Sequence, residues 1–234
     1  MDYLVSLLAS FLAVMVVITL HEFSHAFIAY KCGDPTAKWA GRMTLNPVKH
    51  FDPLGIVMFA LAGFGWAKPV PVNPNNFKHY RSGSFWTSAA GIIMNYISAF
   101  LFYPIFFLTV NYLFAGVINP TYGHKLLAKF TEYLFIYSLS FCIFNLLPFY
   151  PLDGFRMVDA LNKKRGKVYW FLRRYGYYIL LGLILLSFVS QRLAFRVPFF
   201  GYLDILGYVM WFARSILGWP IEAFWQLIIN LIVK

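Results

Sequence analysis

Charge is scarce in this sequence: 12% of its 234 residues are Asp, Glu, Lys or Arg, against about 25% in an ordinary soluble domain. Acids are the rarer kind, nine against 20 Lys and Arg. So little charge excludes a disordered chain or a coiled coil, both of which depend on it. No polar stretch is long enough to build a soluble domain. Cysteine is limited to Cys32 and Cys142, too few and too far apart for a disulfide framework or a thiolate metal site. The opening Met1-Asp2-Tyr3 lacks the basic flank of a signal peptide, so the first apolar run is expected to be retained. What is abundant is apolar surface. Hydrophobic residues make up 60% of the chain, the mean hydropathy is +0.64, and the apolar runs are far longer than any strand.

These features predict an all-α polytopic membrane protein, a bundle of about five to six transmembrane helices forming one membrane-embedded domain over residues 1–234. Tyr3 to Tyr30 is the first helix, roughly 40 Å at about 1.5 Å per residue, against a hydrocarbon core of ~30 Å. Cys32-Gly33-Asp34-Pro35 ends it. Trp39 to Leu45 reads as a short strand, and Leu54 to Trp66, too short to span, as re-entrant or interfacial. Further spans run from Phe85 to Val117 with a kink at Pro104, from about Tyr133 to Leu147 before Pro148, and from Tyr175 to Ser190. Leu203 to Val233 reads as one span or as two interfacial helices. The core is expected over about 1–190, with 191–234 an extra C-terminal apolar segment.

In a soluble chain the net charge of +11 would suggest nucleic acid. Here the bases lie in loops beside apolar runs, as the positive-inside rule and anionic lipid predict, and no nucleic-acid partner is expected. Loops 31–53, 67–83 and 155–174 carry four, three and seven of them, and loop 118–131 carries Lys125 and Lys129. That asymmetry turns the first three loops to the cytosol and the N-terminus outward. It also puts the end of the first helix on the same side as Pro148–Gly154.

His21 and His25 are four residues apart on a helix, so both imidazoles lie on one face and can share a metal ion. Glu22 beside them can reach a metal-bound water without being a ligand, which is the H-E-x-x-H pattern of zinc hydrolases. Chance produces that pattern in roughly one chain of this size per hundred. Its setting is more telling, because each ionisable residue at the bilayer centre costs on the order of 3 kcal/mol and three sit within one turn. The plain alternative is a polar patch where the helix meets the interface.

A hydrolytic zinc needs a third protein ligand and an open position. Glu132 lies 21 residues before Asp153, about 30 Å along a helix, and so belongs to the opposite membrane face. Ile28 and Lys31 stand where the metzincin extension needs Gly and His. Asp153 sits in Asn145-Leu146-Leu147-Pro148-Phe149-Tyr150-Pro151-Leu152-Asp153-Gly154, where two prolines force irregular backbone near membrane depth. It is the natural third ligand; its plain alternative is a helix N-cap. His50, His79 and His124 read as interfacial loop residues.

His21-Glu22-Phe23-Ser24-His25 on the first span, with Asn145 through Asp153-Gly154 on a later one, resembles the site-2 protease family of intramembrane zinc metalloproteases. Gly91-Ile92-Ile93-Met94-Asn95 matches its G-x-x-x-N element, and Gly65 to Pro74 resembles a loop of its small prokaryotic members. One departure is that Tyr150 stands where the family commonly has a second Pro, with Pro151 one place later. No PDZ or CBS module is expected beside the core.

The resemblance implies an integral protein of a prokaryotic membrane, one zinc per chain, and cleavage of a transmembrane segment of another membrane protein. Metal ligands are expected at His21, His25 and Asp153, with Glu22 as proton carrier and Asn145 as oxyanion donor. Asn145 and Asn95 could instead serve helix packing, and for Asn95, in the small-residue run Ser88 to Gly91, packing is the preferred reading. The competing classes are a non-catalytic metal-binding membrane protein or transporter, and a zinc hydrolase acting on lipid.

Overall fold

The computed structural model describes residues 1–62, 65 and 67–232. Eight α-helices lie among them: α1 (Asp2–Lys31), α2 (Thr36–Trp39), α3 (Pro53–Ala62), α4 (Tyr80–Leu108), α5 (Tyr122–Leu146), α6 (Asp153–Leu161), α7 (Lys167–Ala194) and α8 (Ile205–Ile232). Five of them, α1, α4, α5, α7 and α8, are long and apolar enough to cross a membrane.

The centre is a three-helix bundle of α1, α4 and α5, and its sequence logic is a four-residue ridge on each helix. Ala9, Ala13, Val17, His21, His25 and Ala29 are all buried on α1. Thr87, Gly91, Asn95, Ala99 and Tyr103 are buried on α4, and Thr131, Phe135, Leu139 and Ile143 on α5. Side chains four apart stack on one face, and the small groups of the α1 and α4 ridges (Ala9, Ala13, Gly91, Ala99) let neighbouring backbones approach, while α5 fills the seam with Phe135, Leu139 and Ile143. The histidines face inward because they continue the Ala9–Ala13–Val17 ridge. At the other end of the bundle Lys125 Nζ lies 2.6 Å from Asp2 Oδ1. Helices α1 and α5 therefore start together and finish together, beside the polar cluster.

Between α1 and α4 the predicted strand over Trp39–Leu45 does not form. The Asp34 carboxylate accepts the Thr36 backbone N–H and starts the helical turn α2, and Gly41 then turns the chain with φ +64. Among the described residues the only bridge pairs Phe51 with Ala67. Helix α3 has ten residues, too few to span; Trp66, at the end of the expected re-entrant segment, lies outside the described residues.

Three spans start earlier than hydropathy suggests, α7 among them, at Lys167 rather than Tyr175. Helix α4 begins at Tyr80, contains Pro104 and runs into a π-helical turn, Thr109–Leu113. Helix α5 begins at Tyr122, so Lys125, Lys129 and Glu132 are helical rather than in a loop. Its start is a capping box in which Thr121 Oγ1 accepts the His124 N–H and His124 Nδ1 accepts the Thr121 N–H.

The last apolar stretch is a single helix, α8, with Pro220 inside it. Ile221, 1% exposed, enters the largest apolar cluster with Ala99, Tyr103, Phe135, Leu139 and Ile143. Tyr96 Oη donates to the Leu217 carbonyl, Trp225 Nε1 to the Phe100 carbonyl and Gln226 Nε2 to Tyr103 Oη. At ~0.6 kcal/mol each in a bilayer these three bonds contribute about 2 kcal/mol together.

Candidate metal centre

Three side chains from two parts of the chain converge at one end of the bundle. His21 Nε2 lies 3.3 Å from Asp153 Oδ2, His25 Nε2 lies 2.9 Å from the same oxygen, and the two imidazole nitrogens are 2.9 Å apart. All three residues are buried, and one ligand atom from each falls within 4.8 Å of the others.

The backbone that delivers Asp153 follows from its prolines. Leu147, the residue before Pro148, is pushed to extended geometry (ψ 138), which ends α5. The chain turns through Pro151 and re-enters a helix at Asp153, the first residue of α6. The Asp153 side chain caps nothing: Leu152 is the cap residue and makes no side-chain bond. Gly154 follows because a Cβ there would lie 2.7 Å from the Leu147 carbonyl oxygen. Burial works against ionising Asp153, but the His25 and His21 imidazoles outweigh it and hold the carboxyl below the usual carboxylate range.

Behind the histidines, α4 supplies the support. His25 Nδ1 lies 2.6 Å from the Thr87 carbonyl oxygen, which can only accept. The proton is therefore on Nδ1, and Nε2 offers a lone pair. Asn95, fully buried, has Nδ2 3.0 Å from His21 Nδ1 while its Oδ1 has no partner. In that orientation the His21 proton sits on Nε2 and points into the cluster. Turning the amide over lets Oδ1 accept from Nδ1–H and frees Nε2 as a lone pair. Asn95 thus touches a histidine, whereas the residues alone favoured packing. Gly91 makes the room, since a Cβ there would lie 2.5 Å from both His21 Cε1 and His25 Nε2. The G-x-x-x-N spacing puts the gap and the amide one turn apart on the same face.

The donor set fits a divalent ion. Two imidazoles and a carboxylate make the three-ligand arrangement of catalytic zinc. Tetrahedral bonds of ~2.0–2.1 Å put ligand atoms about 3.3 Å apart, and the observed separations reach this within a few tenths of an ångström. Asp153 Oδ2, buried, receives no hydrogen bond; a cation is what such an oxygen lacks.

Glu22, on the adjoining face of α1, is 8% exposed. Its Oε2 accepts the Val70 backbone N–H at 2.7 Å, a partner 48 residues away that no sequence pattern announces. Asn145 is not drawn in; its Nδ2 donates to the Phe141 carbonyl at 3.1 Å on its own helix. Glu132 pairs with Lys129 at 2.8 Å and takes no part. His50 is fully buried rather than interfacial, with Nε2 2.8 Å from the Thr44 carbonyl.

Residues 115–189, which run through α5, the Asp153 turn and most of α7, match the family model of Peptidase family M50. The candidate zinc metalloprotease YwhC of Bacillus subtilis is 42% identical over 169 residues, 69% of either chain. Rip2 of Mycolicibacterium smegmatis, also named as a candidate zinc metalloprotease, is 25% identical over 213 residues, 88% of this chain and 76% of its own. Rip2 of Mycobacterium tuberculosis is 28% identical over 149 residues, 62% of this chain and 54% of its own. No solved structure matches the chain. With a relative this similar over more than two thirds of its length, the chain belongs to peptidase family M50, the site-2 protease family.

Proposed function

We propose that this protein is a zinc endopeptidase that cuts transmembrane segments of other membrane proteins, with one zinc ion held by His21, His25 and Asp153. Membership of family M50 supports metalloendopeptidase activity, and the five long apolar helices support an integral membrane protein. The names of the relatives supply zinc. The observation that carries the reading is the convergence of three buried ligand atoms beside the Glu22 carboxylate.

When bound, zinc supplies a Lewis acid that makes water nucleophilic near neutral pH and polarises the scissile carbonyl. The chain's own residues do the rest. With Oε2 held by Val70, Glu22 uses Oε1 to take the proton of the attacking water and pass it to the leaving amine. Thr87 and Asn95 fix the ring orientations of His25 and His21. The oxyanion role that the resemblance implies for Asn145 requires its amide to leave the Phe141 carbonyl. A spanning helix hides its own peptide bonds, so the substrate unwinds before it reaches Glu22.

The centre faces the cytosol in this reading. Lys31, Lys78, Arg81 and Arg156 lie at its end of the bundle, and basic residues collect on the inner side. Residues 1–234 act as one domain, with α8 docked on α4 and α5.

A metal-binding protein without catalysis, or a transporter, needs the three ligands but has no use for Glu22. A Glu22→Gln variant that keeps its zinc and no longer cleaves a co-expressed transmembrane substrate supports the peptidase. Equal processing by both forms refutes it. Cleavage of lipid instead of the protein substrate assigns the centre to the lipid hydrolase class.

A further inference from the structure

The Glu22–Val70 bond is one point of a longer attachment. Residues 67–73 run extended past α1, and four bonds pin them. The Lys68 N–H donates to the His50 carbonyl at 2.9 Å, and Arg42 Nη2 donates to the Lys68 carbonyl at 2.6 Å. The Val70 N–H goes to Glu22, and the Asn73 N–H donates to Asp34 Oδ2 at 2.7 Å. The anchor at Asp34 is fixed in turn. Asp34 is fully buried and also accepts from the Thr36 and Asn76 side chains. Those hydrogen bonds outweigh its burial and hold its carboxyl below the usual range. The Val70 side chain, 8% exposed, packs against Ala26 and Ala37, one turn along α1 from Glu22.

Pro69 and Pro71 flank Val70. Proline has no N–H, fixes its own φ and confines the residue before it to extended geometry. In Pro69-Val70-Pro71 only one backbone donor remains, and Glu22 receives it. A flexible segment would have to be ordered each time it met the carboxylate; this one is held in place already.

We infer that the segment 67–73 is a positioning strap for the general base, with Val70 as its positioning residue acting through the backbone N–H. The strap holds one Glu22 oxygen so that the other is presented to the water, and Arg42 and Asp34 tie it to the loops outside the helices. This rests on the peptidase reading above and adds to it a residue that carries no reactive side chain.

Val70→Pro removes the one N–H while keeping an apolar ring. Ile118→Pro, in the loop between α4 and α5, makes the same chemical change at an exposed position outside the strap and away from Glu22. In purified full-length protein with a membrane-protein substrate, Val70→Pro is expected to lower kcat at least tenfold, with KM and bound zinc unchanged, because misplacing a catalytic group by ~1 Å costs on the order of a hundredfold. Ile118→Pro is expected to stay within about threefold of the parent. A Val70→Pro enzyme of parental kcat overturns the inference. So does a faster one, which would make the strap a brake, and so does one that has lost its zinc.

Hydrogen exchange tests the same contact without turnover. Val70 carries the only exchangeable backbone amide of residues 69–71, and its exchange is expected to accelerate at least tenfold in Glu22→Ala. Equal exchange rates overturn the inference even if Val70→Pro fails to fold. A parent enzyme that cleaves no membrane protein refutes the peptidase reading instead, which separates the two failures.

Discussion

Gly91→Ala is a small change that should disable the proposed metal centre. The added methyl would lie 2.5 Å from His21 Cε1 and His25 Nε2 and 2.7 Å from His21 Nδ1. Carbon contacts settle at about 3.5–4.0 Å, so the rings and the methyl must separate by about 1 Å. A metal site tolerates roughly 0.2 Å in its ligand distances. The obstacle cannot be avoided by moving one ring, since the methyl meets both. Neither ring can back away, because Thr87 holds one and Asn95 the other. Overpacking of this kind costs about 1–3 kcal/mol, less than the about 5–15 kcal/mol that separates a typical native protein from its unfolded state. Zinc affinity should therefore fall at least a hundredfold in a protein that still elutes as folded. The assay is a competition titration against a chromophoric chelator in detergent. Gly182→Ala on α7 serves as the control, because a Cβ there meets nothing within 4 Å. A Gly91→Ala protein that binds zinc as tightly as its parent would refute the claim that Gly91 backs the two ligands.

Two further outcomes follow from the same geometry. Asn95→Leu, close in volume but without the amide, should weaken zinc binding by about 10–100-fold, the usual cost of losing a partner behind a ligand histidine; unchanged affinity in the same titration returns Asn95 to a packing role. Asp34 has a lowered pKa in the folded chain, so its contribution is fully present above the unfolded value of about 3.9 and is lost as pH falls through the folded one. Protection of the amides across residues 67–73, taken as exchange relative to the intrinsic rate at each pH, should accordingly stay high at neutral pH and fall only in strong acid; a loss of protection already above pH 5 contradicts that sign.

Much of this was legible in the residues because helical periodicity is a local rule. Four-residue spacing put His21 and His25 on one face, and Ala9, Ala13 and Val17 mark the same face as the one turned inward. Hydropathy found the spans but not their ends, since it reports which residues suit lipid, not where hydrogen bonding stops. Thr121 and His124 start α5 well outside the apolar window, with His in the place where a capping box usually has Glu or Gln. The strand expected at Trp39–Leu45 failed for a related reason. A short mixed stretch has no preference of its own, and the Asp34 bond to Thr36 and the turn at Gly41 decided it.

What stayed hidden depends on contacts between distant segments. Pro148 and Pro151 show that the backbone breaks near Asp153, and its carboxylate was the expected third ligand, but the alternative of capping α6 stayed open until the side chain was placed. The G-x-x-x-N element could be matched and still be read as packing, because an amide facing an imidazole and an amide facing a helix look alike in sequence. His50 looked interfacial because a loop histidine usually is; here Thr44 and the strap enclose it.

The centre itself is tested most directly by X-ray absorption at the zinc edge on the purified full-length chain. Two imidazole nitrogens and one carboxylate oxygen at ~2.0–2.2 Å, with one ion per chain and the carboxylate shell lost in Asp153→Ala, are the predicted result. An ion bound through other residues, or a shell that Asp153→Ala leaves unaltered, contradicts it.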